Sequence, residues 1–195
     1  MIVVGLTGGI ASGKSFVAKY LKSLGISVHD SDEVVSTLYT SHNKKFINFL
    51  LKNNFENYLS NNKINKDKIR EEFFNNKERK TKLEKYIHNE VRKSRSVFIK
   101  KNKLKKIIFL DIPLLFEVGL ENECDLICST TSPLYLREQR FLKRKGATKA
   151  MFKKIIKNQA KDKERKGKSN YLIDTSKNPK KIYLQVDSII YGILN

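Results

Sequence analysis

The chain has little of what would staple, anchor or address it. Two cysteines, Cys124 and Cys128, are all that its 195 residues contain. They lie four apart in a predicted strand, with no further Cys or His pair at ligand spacing, which excludes a disulfide framework and a cysteine-based metal site. Buried, reduced packing residues are expected instead. Long apolar runs are missing as well. The longest, Ile107 to Leu110 continuing through Asp111 into Ile112 to Phe116, falls far short of a membrane span. The first residues, Met1 to Gly5, lack the charged segment and small-residue cleavage site of a secretory signal and read directly into a buried strand. No membrane association is expected, and the cytoplasm is the expected location. There is neither an internal repeat nor a low-complexity linker. Acidic residues are scarce beside basic ones, 20 against 40, for a formal charge of +20. Clustered basic charge is what a nucleic-acid backbone selects. Here lysine outnumbers arginine 32 to 8 and is scattered through nearly every predicted helix. A solvated basic surface that draws in small anions fits that scatter better than a nucleic-acid stripe. No zinc, RRM or KH signature is present.

What is present suits one folding unit with subdomains. A hydrophobic fraction of 39% supports a real core, and the length is too short for two full domains of ordinary size. Met1 to Thr7 is apolar and β-branched. Gly8 to Ser15 intervenes, and then Phe16, Val17, Tyr20, Leu21 and Leu24 fall on one helical face before Gly25. Ile26 to His29 predicts a second strand. Asp32 is placed to cap a helix running to about Tyr39. From Asn43 to Lys103 the chain is polar, lysine-rich and helical in period, with Leu83, Ile87, Val91 and Phe98 on a stripe and no β pattern. Strands are predicted again at Lys105 to Asp111, Cys124 to Ser129 and Tyr171 to Ile173. Helices are predicted over Pro133 to Lys145 and Thr148 to Gln159, followed by a charged turn from Ala160 to Ser169. A last helix carries Ile182, Val186, Ile189, Ile190 and Ile193. The expected architecture is therefore α/β, with a parallel sheet of about five strands. Its core comprises about residues 1–35, 104–132 and 170–195, its inserted helical subdomain about 36–103, and its helical lid about 133–169.

Gly8 to Ser15 matches G-x-x-x-x-G-K-[ST] between a strand and a helix, the context that makes the pattern a phosphate loop. Glycines let successive backbone N–H groups converge on phosphates, the following helix presents its positive end, Lys14 reaches the β- and γ-phosphates, and the Ser15 hydroxyl suits Mg²⁺. Asp30 and Asp32 follow the second strand. Each is either a cap or a carboxylate that accepts a hydrogen bond from an acceptor hydroxyl. Asp111 closes an apolar strand in the manner of a Walker B segment. Arg140, Arg144 and Arg165 lie in the predicted lid, where guanidinium forks suit phosphate oxygens. Arg140 and Arg144, four apart, share a face of the predicted helix. These residues together point to a P-loop kinase.

The ordered set Gly5 to Ser15, Asp30 to Asp32, His88, Asp111 to Glu117, Arg140 with Arg144, Gln159 with Arg165, and Leu172 to Asp174 resembles the dephospho-CoA kinase family over essentially the whole chain. The Pro113-Leu114-Leu115-Phe116-Glu117 segment is its most specific part. The resemblance implies an adenylate-kinase-like core, a helical subdomain that binds coenzyme A, a lid, and MgATP-dependent phosphorylation of the ribose 3′-hydroxyl of dephospho-CoA. It implies Lys14, Asp32 and Arg140 as catalytic groups, with Asp32 as base or orienting group. ATP would be held by Gly9, Ala11, Ser12, Gly13, Lys14, Ser15, Phe16 and Arg144. The acceptor would be held by Asp32, His88, Leu115 and Arg165, and Mg²⁺ by Ser15 and Asp111. The partners are then the small molecules ATP and dephospho-CoA, without nucleic acid or membrane, in a monomer or weak oligomer. The sequence departs from the family pattern at Ala11, where glycine is common, at Phe16 for threonine, at Asn89 for proline, at Gln139 in the lid, and at Thr175 for asparagine. A kinase for another nucleotide or nucleoside is the nearest alternative, and a nucleic-acid-binding P-loop protein a more distant one. A GTPase would need an N-K-x-D guanine-reading motif, which is absent.

Overall fold

The structure of the chain, a computed structural model, describes residues 1–40, 43–55, 58–60, 63–65, 68–69 and 76–195. They fall into two compact units, Met1–His29 with Lys101–Asn195, and Asp30–Lys100.

The first unit is built on a five-stranded parallel sheet in the order β2-β5-β1-β6-β7, from β1 (Ile2–Gly8), β2 (Ser27–Asp30), β5 (Ile107–Asp111), β6 (Leu126–Thr131) and β7 (Tyr171–Asp174). A strand covered on both faces reads as a continuous apolar run. That is the pattern of β5, in which all five residues are buried, and of the last five residues of β1. β1 sits at the centre, with Ile2 opposite Ile107 of β5 and Val4 opposite Leu126 of β6. Helix α1 (Lys14–Ser23) turns Val17, Ala18 and Leu21 inward. It stops at Gly25, whose φ of 75° is the left-handed stop that helices commonly use. The terminal helix α8 (Pro179–Leu194) is capped by Asn178, which accepts a hydrogen bond from the Lys181 N–H. It adds Ile182 and Val186 to a core shared with Leu6, Leu21, Phe109 and Ile173. Burying each such side chain contributes roughly 1.5–3 kcal/mol.

Three short helices, α5 (Leu134–Leu142), α6 (Lys149–Asn158) and α7 (Asp162–Gly167), belong to this unit and occupy the region expected to form a lid. Cys128 is fully buried in β6, and burial pushes its thiol up to about 12. It is unreactive. Cys124 precedes that strand, half-buried, and neither cysteine is in a disulfide.

The second unit has its own core. Helices α2 (Ser31–Leu38), α3 (Lys44–Lys52) and α4 (Lys77–Lys101) contribute Leu38, Phe46, Leu50, Leu83 and Ile87 to it. Phe49 and Tyr86 stack there with centroids 4.0 Å apart. Contrary to the all-helical expectation, a small antiparallel pair, β3 (Leu59–Ser60) with β4 (Lys63–Ile64), interrupts it. Strands of two residues are too short to show alternation. Among the described residues no helix is long and apolar enough to cross a membrane.

Candidate active site

The loop between β1 and α1 is shaped by contacts that only small residues permit. Gly13 has φ +88°, and a Cβ placed on it would sit 2.8 Å from Thr175 Oγ1. Its carbonyl accepts the first helical bonds from the N–H groups of Phe16 and Val17. With no side-chain cap at this end, the first N–H groups of α1 are left available to an anion. Ser12 is buried. Its hydroxyl bonds Thr130 Oγ1 at 2.7 Å, and its carbonyl accepts the Thr175 hydroxyl at 2.6 Å. Gly8 is equally constrained, since a Cβ there would meet Thr130 Oγ1 at 2.2 Å.

Ala11 adopts φ 56°, a left-handed conformation that strains any residue with a Cβ. Ala11→Gly is therefore expected to stabilise the protein by about 0.5–1 kcal/mol, the relief of strain exceeding the entropy that glycine adds to the unfolded chain. Urea unfolding would register this as a higher midpoint. An unchanged or lower midpoint would show that Ala11 is not strained.

Lys14 reaches along the loop and donates to Asp111 Oδ1, forming an ion pair in which the two side chains are 13% and 4% exposed. The Walker B expectation thus acquires a geometry, with the loop lysine and the carboxylate at the end of β5 in contact. Ser15 is exposed at the first turn of α1, and Phe16 is 37% exposed beside it. Phe16 stacks on Tyr183 with centroids 5.5 Å apart. A cavity of about 400 Å³ opens here, lined by Gly13, Phe16, Arg140, Thr175, Lys177, Pro179 and Ile182.

The α5 arginines are arranged differently from the expectation. The helix ends at Leu142, so Arg144 lies beyond it, exposed, with its guanidinium 5.4 Å above the Phe141 ring. The shared face belongs to Arg137 and Arg140. Arg140 donates to the Thr175 carbonyl at 2.7 Å and to its hydroxyl at 3.2 Å. Thr175 itself follows Asp174, whose carboxylate accepts from the Ser176 hydroxyl at 2.6 Å and N–H at 2.9 Å. Those bonds, helped by Lys177, hold the Asp174 carboxyl below its usual range. Arg137, missed in the sequence, is 3% exposed and bonded to both the loop and Asp162. Burial pulls its pKa down, and Asp162 opposes that pull.

Two residues expected to hold substrate are committed elsewhere. Arg165, 4% exposed, fills its fork with Asp162 Oδ1 at 2.8 Å and the Ala160 carbonyl at 2.9 Å, and lies 3.7 Å from Glu117. These contacts make it a brace within the α6–α7 region. Leu115 is wholly buried and packs where a Cβ on Gly5 would stand. It is a core residue.

In the second unit the cap falls on Asp30 rather than Asp32: Asp30 Oδ1 accepts from the Glu33 N–H at 3.0 Å. Asp32 is the second residue of α2, in its first turn, and is exposed, with the capping bond made by Asp30. His88 is exposed on α4. Among the described residues no group of three or more His, Cys, Asp or Glu side chains forms a metal cage. A ready-made cage is not needed for Mg²⁺, which is held by one or two protein oxygens together with water and phosphate. The Ser15 hydroxyl and Asp111 carboxylate are hard oxygen donors of that kind.

A glycine loop that follows a buried central strand, carries a lysine paired to the aspartate ending the adjacent strand β5 and opens a helix with available N–H groups belongs to the P-loop kinases. The family model described as dephospho-CoA kinase matches residues 2–181. A dephospho-CoA kinase of Bartonella quintana is 36% identical over 196 residues, an alignment that covers 100% of this chain and 99% of that protein. The chain belongs to the dephospho-CoA kinase family. A Thermus thermophilus protein of known structure is similar in fold with a TM-score of 0.82 at 26% identity, covering 100% of this chain and 98% of its own. The structure of a dephospho-CoA kinase from Campylobacter jejuni shares the fold at a TM-score of 0.72 and 23% identity, covering 98% of this chain and 96% of that one.

Proposed function

We infer that this protein transfers the γ-phosphoryl group of ATP to the ribose 3′-hydroxyl of dephospho-CoA, giving coenzyme A and ADP in the last step of coenzyme A synthesis. The observation that carries the reading is the phosphate loop, with Gly13 at φ +88° and Lys14 paired to Asp111, in a chain that matches the family over residues 2–181. Backbone N–H groups of Ala11, Gly13 and Lys14 and the open end of α1 bind the β- and γ-phosphates. Lys14 exchanges part of its contact with Asp111 for phosphate oxygens as negative charge develops on the transferring group. Ser15 and Asp111 would hold Mg²⁺, which would neutralise negative charge on the phosphates.

The cavity beside Gly13 and Phe16 suits the adenine ring. Its walls offer an aromatic face, the Arg140 guanidinium and the apolar Ile182 and Pro179. Arg140 is fixed there by Thr175, so it meets the nucleotide preorganised, and Arg144 is near enough in sequence to approach the phosphates from the lid. Asp32 accepts the acceptor hydroxyl's hydrogen bond and takes its proton late in the transfer. His88 is assigned to acceptor binding on the same resemblance. A cytoplasmic enzyme working on dissolved nucleotides is the corresponding expectation.

The test is a coupled ADP-release assay offering dephospho-CoA, AMP, CMP, dTMP and pantothenate in turn. Dephospho-CoA is expected to support turnover that the others do not. Faster turnover with one of the other four would assign the site to that acceptor.

A further inference from the structure

The two halves of the phosphate loop are anchored by different parts of the fold. Its second half is pinned from the sheet, through Thr130 on Ser12 and Thr175 on the Ser12 carbonyl. Its first half is pinned from the lid. Ile10 donates its N–H to Gln159 Oε1 at 2.9 Å, and its carbonyl accepts from Arg137 Nε at 2.9 Å. Both peptide groups of one loop residue are thus held by residues within the α5–α7 region. Arg137 also explains Gly9. A Cβ there would lie 2.2 Å from Arg137 Nη2, so the guanidinium seats itself against bare backbone. The far edge of the same guanidinium is fixed by Asp162, whose two oxygens each accept from Nη1 at 3.0 Å. Asp162 is shared with Arg165, which reaches the Ala160 carbonyl, and the Ala160 N–H donates to Glu117 at 2.8 Å.

We propose that Arg137, braced by Asp162, is a positioning residue for phosphoryl transfer: it sets the Gly9–Ile10 segment of the loop and makes that segment's shape depend on the seated lid. Its action passes through the Ile10 carbonyl and not through direct contact with the reacting atoms. The planar fork is essential. A lysine ammonium cannot lie against Gly9, reach the Ile10 carbonyl and span both Asp162 oxygens in one geometry. The buried member of the pair is the arginine, 3% exposed against 51% for Asp162, so the brace is anchored at the loop and open to solvent at the lid. A shift of α7 therefore acts on the loop through one charged contact. Errors of about 1 Å in such supports cost on the order of a hundredfold in rate.

The proposal rests on the kinase reading, and ADP affinity separates the two because it needs no acceptor. The full chain would be prepared as Arg137→Lys, Asp162→Asn, the double variant and Asp162→Glu. Asparagine retains one acceptor oxygen for the buried guanidinium, which keeps that variant folded. Each single change is expected to lower kcat/KM for ATP by roughly tenfold and to weaken ADP binding severalfold, with KM for dephospho-CoA unchanged. The double variant should be no worse than the poorer single one, because both break the same contact. Asp162→Glu should recover most of the loss. Multiplicative losses in the double variant would overturn the proposal. So would melting temperatures that fall while ADP affinity and turnover per folded molecule stay at the unmodified protein's values, since that is the behaviour of a merely structural pair. If ADP binding shows the coupling but dephospho-CoA is not phosphorylated, the acceptor assignment fails and the positioning role stands.

Discussion

Lys14→Ala is expected to lower kcat by at least about a hundredfold, the size of loss seen when one preorganised electrostatic donor is removed from a site of developing charge. Ground-state binding of ATP should suffer less, because the loop backbone and the open end of α1 carry much of it. The structure adds a complication with a use. The same substitution removes the cation beside Asp111, a carboxylate only 4% exposed, and taking one partner from a buried pair is destabilising by about 3–5 kcal/mol. The variant should therefore melt at a lower temperature as well as turn over slowly. Adding Asp111→Asn removes the stranded charge, so the double variant should regain much of the stability and none of the turnover. Melting curves and steady-state kinetics on the three proteins separate the two effects. Near-full turnover in Lys14→Ala would remove the phosphate-loop assignment altogether.

Asp32→Asn should leave a stable protein with normal ATP affinity and turnover lower by roughly two to four orders of magnitude, the range for a positioned acid or base. Asp32 is exposed, and Asp30 caps α2, accepting from Glu33 at 3.0 Å. Asp30→Asn keeps the cap, since asparagine serves there about as well as aspartate, and should be mild in every measurement. Asp30→Ala should lose about 1 kcal/mol of stability with turnover per folded molecule largely kept. Thermal melts, nucleotide titration and dephospho-CoA turnover on the three variants resolve the pair. Intact turnover in Asp32→Asn would send the search for the base elsewhere.

The contrast between those two aspartates shows what the sequence could carry. The glycine loop was legible because every part of its signal is local: an apolar strand, eight consecutive residues, an amphipathic helix. The choice between Asp30 and Asp32 as cap was not, because both satisfy the same rule and the outcome turned on β2 running one residue further than its apolar pattern. Arg144 was paired with Arg140 by counting helical periodicity past the point where α5 ends, in a stretch that turns at Gly146 with φ 74°. Arg137 lies in no motif that sets it apart in the sequence. Its partner in the loop, Ile10, is 127 positions away, and no local pattern encodes a contact at that range. Leu115 and Arg165 sit within motifs that mark the neighbourhood of the site, but a motif does not say which way a side chain points.

The order of the strands has a consequence for how the protein is made. β1 lies at the centre of the sheet, yet both its neighbours are encoded far downstream, since Ile2 pairs with Ile107 and Val4 with Leu126. The second unit, by contrast, is one continuous stretch, Asp30–Lys100, with a core of its own. On a ribosome that stretch can condense as it emerges, while β1, already translated, has no strand to pair with. At about 5–20 residues per second the wait for β5 lasts on the order of 5 to 20 seconds. Pairings of such long range are slow to close even then. The apolar Ile2-Val3-Val4 segment therefore waits unpaired through that time, and a codon change that slows translation between residues 30 and 107 would lengthen the wait without altering a single side chain.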